Sequence, residues 1–127
     1  VKLNLSKLNR AISRAWDGTI DAYAEQCQEE LTAEKWTWNG TTKRRNGETV
    51  GTPRDRRDED ELFDSQTIVQ VDEETAIVGY TAAHAAIVHE GYAADETIYP
   101  GTPWLRTALE ELPLDRVMSD KLRRELK

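Results

Sequence analysis

Between about Leu5 and Glu34 the residues Leu8, Ile12, Ala15, Thr19, Tyr23, Cys27 and Leu31 recur at alternating steps of four and three. That period belongs to a helix and to no strand. Trp16 and Ile20 widen the stripe, and Lys7, Arg10, Arg14, Asp17, Asp21, Glu25 and Glu29 fall on the opposite face. One long amphipathic helix is therefore the element around which the rest must fold, with its charged side toward water or a sister subunit. Asn4 or Ser6 is placed to cap its start. Gly18 is its weak point, costing about 1 kcal/mol relative to Ala, and marks a kink or a close contact with a sheet.

What the remainder can bury is limited. The chain has 127 residues, 38% of them hydrophobic and 32% charged. That length fits a single domain, 1–127. The core is expected to be thin, helped by four Trp and four Tyr, and its stability is expected to lean on neighbouring copies. Cys27, the single cysteine, excludes an internal disulfide and reads as a small buried hydrophobe in a reducing compartment. No stretch approaches the roughly 18 apolar residues of a membrane span, and the first residues lack the apolar run of a secretion signal. A soluble chain without membrane contact is expected.

The net charge of −7 is unevenly spread: −1 over 1–38, +4 over 39–57 and −10 over 58–127. The basic segment holds Lys43, Arg44, Arg45, Arg54, Arg56 and Arg57. Two Asn-Gly pairs, Gly51 and Pro53 make it rich in turns. It is read as an extended loop, or as a hairpin pairing Thr41–Arg45 with Glu48–Gly51 about Asn46-Gly47. In either form it is expected to protrude and to order against a partner. A phosphate backbone and the acidic face of another copy both suit it, and the acidic copy is preferred.

Further along, Lys35–Trp38 reads as a short strand, and 58–66 as a helical turn anchored by Leu62 and Phe63. Thr67–Val71 and Thr75–Ala82 read as strands about the Asp72–Glu74 turn. His84–Glu90 is tipped toward helix by its alanines. Gly91–Thr102 reads as loop. Thr102 and Pro103 then open a helix carrying Trp104, Leu105, Ala108, Leu109 and Leu112. Pro113 breaks it, and Leu114–Leu126 forms a last helix.

Two constellations bear on chemistry. His84 and His89 stand five apart, which separates them on a helix and sends them to opposite faces of a strand, so a shared metal is not expected. Asp58, Asp60 and Glu61, with the histidines, are the material for a metal-dependent nuclease. Consecutive acids fan out around a helix start rather than converging, and a solvated cap is the preferred reading. No Gly-rich phosphate loop and no nucleophile elbow occurs. No cofactor and no enzymatic activity are expected.

The order of motifs over roughly residues 60–112 resembles the tail-completion or head–tail connector (neck) proteins of long-tailed bacteriophages. The residues that carry the resemblance are Glu61–Ser65 leading into a strand, the Ala-rich run ending Ala85-Ala86-Ile87-Val88-His89-Glu90-Gly91, and Pro103–Leu109. Asp58–Asp60 stands where the family carries Thr-Gly. The resemblance implies an α+β fold, a long N-terminal helix packed on a small, mainly antiparallel sheet, with C-terminal helices. It also implies a structural role in the virion neck or tail after assembly in host cytoplasm, as a closed ring of copies, expected to be a hexamer. Portal or adaptor and tail tube proteins would be its partners, and genomic DNA would pass nearby. Trp36, Trp38, Glu90, Gly91, Tyr92 and Trp104 are the expected subunit contacts. The alternatives are a DNA-binding module using 39–57 and the nuclease.

Overall fold

The computed structural model describes residues 4–58 and 60–127, so the Glu59 member of the acidic run, like residues 1–3, lies outside the described residues. The long helix is present as α1, Leu5–Thr32, and the Asn4 side chain caps it by accepting the Lys7 amide. Its far end turns out at Ala33, whose amide still bonds Glu29 O.

Two C-terminal helices, α3 (Trp104–Glu111) and α4 (Leu114–Glu125), cover α1. Pro113 separates them, as expected of a residue that cannot continue a helix. α4 runs antiparallel to α1: Thr19 Oγ1 meets Met118 Sδ at 3.5 Å, and Arg14 meets Glu125 at 3.5 Å. Small residues at the seam, Ala11 and Ala15, let the axes approach. Gly18 belongs to this seam. A Cβ there would stand 3.0 Å from Lys121 Cδ, so the close contact it permits is with a helix rather than a sheet. The stripe is not covered throughout. Leu5, Leu8 and Ile12 remain exposed, because their part of α1 lies at the distal end of α4.

Among the described residues the β structure is three separate antiparallel hairpins rather than one sheet. β1 (Thr42–Lys43) pairs with β2 (Thr49–Val50), and Gly47 supplies the left-handed φ of +89° in the turn. β3 (Gln66–Asp72) pairs with β4 (Thr75–Tyr80), with an irregular register between Gln70 and Asp72. Gln66 Nε2 donates to Ala24 O at 2.7 Å, and Tyr80 OH donates to Gln28 Oε1 at 2.7 Å. These bonds seat the base of this hairpin on α1.

A third hairpin occupies the expected loop: β5 (Tyr92–Ala94) and β6 (Thr97–Tyr99). Its turn holds Asp95 at φ 49° and Glu96 at φ 64°. Asp-Glu is not the Asn-Gly or Asp-Gly pair that advertises such a turn, and tertiary contacts carry it here. A short α2, Ala85–Glu90, precedes this hairpin.

Helix α3 starts one residue later than Thr102 and Pro103 imply. Pro103 is the flanking residue, and Thr102 is buried with its amide on Val88 O at 2.8 Å. The strand expected at Lys35–Trp38 shrinks to a single bridge, Trp36 with Arg54. The cause is the Trp36 indole, which turns onto the end of α1 and donates to Glu30 O at 2.7 Å. The core gathers where these parts meet: Cys27, Leu31, Trp36, Leu62, Ala85, Trp104 and Ala108. The fold is α+β, with the long N-terminal helix, small antiparallel sheets and C-terminal helices.

Candidate functional site

The basic segment does not hang free. Arg56 N donates to Leu31 O at 2.7 Å, and Trp36 and Arg54 exchange backbone hydrogen bonds at 2.8 and 2.9 Å. The β1–β2 hairpin is thereby fastened to the C-terminal end of α1. Arg54, grouped by sequence with the partner-facing cations, is 5% exposed. Its guanidinium donates to Gly51 O at 2.7 Å, Val50 O at 2.9 Å and Thr42 Oγ1 at 3.1 Å, so it holds the hairpin together. All three acceptors are neutral, and its positive charge is left without a hydrogen-bonded carboxylate.

The other cations sort by partner. Arg44 pairs with Asp55 at 2.8 Å, Arg45 with Glu61 at 3.3 Å, and Arg57 with Asp60 at 2.6 Å while also lying over the Phe63 ring. Arg56 has no hydrogen-bonded carboxylate among the described residues; its guanidinium lies over Trp38, 5.1 Å from the ring centre. Burial, then the neighbouring Arg54 and Arg44, push the Arg56 guanidinium below its ordinary range. Burial followed by Arg44 does the same to Arg54. Lys43 is exposed and makes no ion pair among the described residues.

These side chains enclose a cavity of about 240 Å³, with Arg44, Arg45, Arg54 and Arg56 on its wall and Trp38, Leu62 and Val88 as its apolar part. His84 and two acids, Asp58 and Glu61, also line it. Asp58 Oδ1 is buried without a hydrogen-bond partner among the described residues. Counting Asp55 with Arg44, four arginines face three carboxylates here, one positive charge in excess.

A second, larger hollow of about 930 Å³ lies at the other half of α1, between Asn9–Asp17, Met118 and the tip of the β3–β4 hairpin. Its floor is apolar (Ile12, Trp16, Met118), and Asp17, Asp72, Glu73 and Glu74 stand around it.

The expected subunit contacts divide. Trp104 is 1% exposed and Trp36 is 9% exposed. Both are core residues of the chain itself and not, as expected, surface residues open to a neighbouring subunit. Trp104 packs edge-on against Tyr80 and His89, at centroid distances of 5.2 and 5.0 Å. Gly91 has φ +80°, and a Cβ there would come within 2.6 Å of Gly101 N and Tyr99 O. The Glu-Gly motif thus serves a close crossing of the chain over itself. Glu90 is exposed, with its carboxylate beside His89 Nδ1 at 2.6 Å and Arg106 at 3.4 Å. Tyr92 is exposed and stacked on Tyr99 at 4.7 Å, and Trp38 is half-buried against the same Tyr99 ring, 5.4 Å between centroids. Glu90, Tyr92 and Trp38 are left available at the surface.

The carboxylates of 58–61 do not converge: Asp60 is clamped by Arg57, and Glu61 points to Arg45. No group of three or more His, Cys, Asp or Glu side chains with metal-binding geometry occurs among the described residues. Burial pushes the Cys27 thiol up to about 11, so at neutral pH it is protonated and weakly nucleophilic in the folded chain. No helix of the described residues is long and apolar enough to cross a membrane. Asp72-Glu73-Glu74, a turn in the sequence, is exposed at the β3–β4 tip. Comparison with protein-family models, curated proteins and solved structures finds no match to this chain.

Proposed function

We propose that this chain is a ring-forming structural subunit of a bacteriophage neck, joining a portal or adaptor assembly to a tail tube. The reading has no catalytic step. It draws on the motif order over residues 60–112, and one structural observation supports it most. The β3–β4 hairpin is a two-stranded sheet with both edges unpaired, and it exposes Ile68, Val69, Val71 and Ile77 at 45, 53, 54 and 57%. Two strands alone are marginal in water, and a long apolar edge invites pairing with another chain. A subunit completed by its neighbours accounts for both.

Imaging and mass measurement of the purified chain, alone and with adaptor and tail tube proteins, test the reading. Closed rings, expected with six copies, support it; a monodisperse monomer under all these conditions overturns it. The exposed Lys43 and Arg45 favour a second reading, a module that tracks duplex DNA. It predicts salt-dependent binding of free duplex that is lost when both are neutralised. The internal engagement of Arg44, Arg54 and Arg57 leaves that reading few cations, and the ring is preferred.

A further inference from the structure

The two charged features of the surface lie at opposite ends of one rod. The arginine-lined pocket is tied to α1 at Leu31, and the β3–β4 tip lies over Asn9–Asp17. From Ser13 to Leu31 a helix rises about 27 Å. The tip carries Asp72, Glu73 and Glu74, all exposed, and none makes an ion pair among the described residues. Asp72 Oδ1 accepts the Glu74 amide at 2.8 Å, which holds the turn in shape. The pocket has cationic charge in excess and an apolar wall; the tip has anionic charge in excess and apolar flanks at Val69, Val71 and Ile77.

We infer that the acidic turn Asp72–Glu74 of one copy seats in the arginine-lined pocket of a second copy, so that association is head to tail. The inference rests on the ring reading and names the contact within it. Arg56, the part-exposed arginine of the pocket without a hydrogen-bonded carboxylate among the described residues, is the group an incoming glutamate would meet. Ile87 and Ile98 are exposed at 55 and 76%. Ile87 adjoins the pocket residue Val88, and Ile98 sits on the hairpin that packs on Trp38. They are the apolar rim against which the flanks of the incoming hairpin would lie. Different patches on the two partners make the contact heterologous, the kind that closes into a ring when the rotation per subunit divides a full turn.

The test uses the full chain and two variants, Glu73→Gln/Glu74→Gln at the tip and Arg56→Gln in the pocket. The tip variant alters only solvent-facing side chains, so its folding is secure even if the pocket variant folds poorly. Each variant alone should associate on the order of 30-fold more weakly than wild type in sedimentation velocity. Mixed together they should form a 1:1 heterodimer and nothing larger. The intact tip of one fits the intact pocket of the other, and the two remaining ends are both disabled. Wild-type rings that survive the tip variant unchanged would overturn this contact and leave the ring reading standing. A wild-type chain that never associates would overturn both.

Discussion

At the residue scale, the buried Glu30 explains the end of α1. It is 2% exposed, hydrogen-bonded by Gln26 at 2.9 Å and in contact with the Lys35 ammonium, which also reaches Glu111 at 2.9 Å. Removing the cation leaves a carboxylate sealed from water with one neutral donor. Lys35→Met should therefore cost about 2 kcal/mol in urea unfolding, and Lys35→Met with Glu30→Gln should cost less than the two singles added. A second pair sets an acid limb. The Arg57 guanidinium hydrogen-bonds the Asp60 carboxylate and holds it below its ordinary 3.8. A carboxylate depressed in the folded chain adds stability above its unfolded pKa and loses that contribution as pH falls through the folded value. Asp60→Asn should thus melt below wild type at pH 7, with the gap closing toward pH 2. Asn tolerates the positive φ of 57° at this position, so the backbone is not the variable.

At the element scale, the hairpins depend on single residues that knit each of them together. Arg54 bonds three acceptors of β1–β2 through one planar fork. A lysine cannot reproduce that geometry. Arg54→Lys should destabilise the chain by about 2 kcal/mol and speed amide exchange at Trp36. Around Gly91 and Gly101 the backbone packs on itself: a Cβ at Gly91 would stand 2.6 Å from Gly101 N and Tyr99 O, and one at Gly101 2.6 Å from Glu90 C and His89 O. Gly91→Ala should cost about 3 kcal/mol, read by thermal unfolding, and should release the β5–β6 hairpin. Most elements were legible in the chain. The period of α1, the Asn46-Gly47 turn, the β-branched runs of β3 and β4, the alanines of α2 and the break at Pro113 are all local. The elements that escaped, β5–β6 and the bridge at Trp36, have no local signal: an Asp-Glu turn and an isolated Trp take their shape from what lies across from them.

At the scale of the whole molecule, charge separation along α1 makes a polar rod with an acidic tip at one end and a cationic pocket at the other. Association through those ends should weaken about tenfold between about 0.1 and 1 M salt, as the Debye length falls from about 10 to about 3 Å. Sedimentation across a salt series measures it. Association that strengthens with salt would assign the contact to the exposed valines and isoleucines instead. The candidate site was legible only as a composition. Six cations between residues 39 and 57 were evident, yet their division into one structural arginine, three paired ones and two left with charge to offer was not.

By itself the sequence determined the order and type of the main elements and the α+β class. Hydrophobic period, turn residues and helix breakers act over a few neighbours, and a single strand of text contains them. Only the tertiary structure decided that Trp36 and Trp104 face inward, that Arg54 is buried, and that the acidic turn and the arginine pocket stand at opposite ends of α1. Burial and ion pairing depend on residues tens of positions apart, whose meeting is a property of the folded chain.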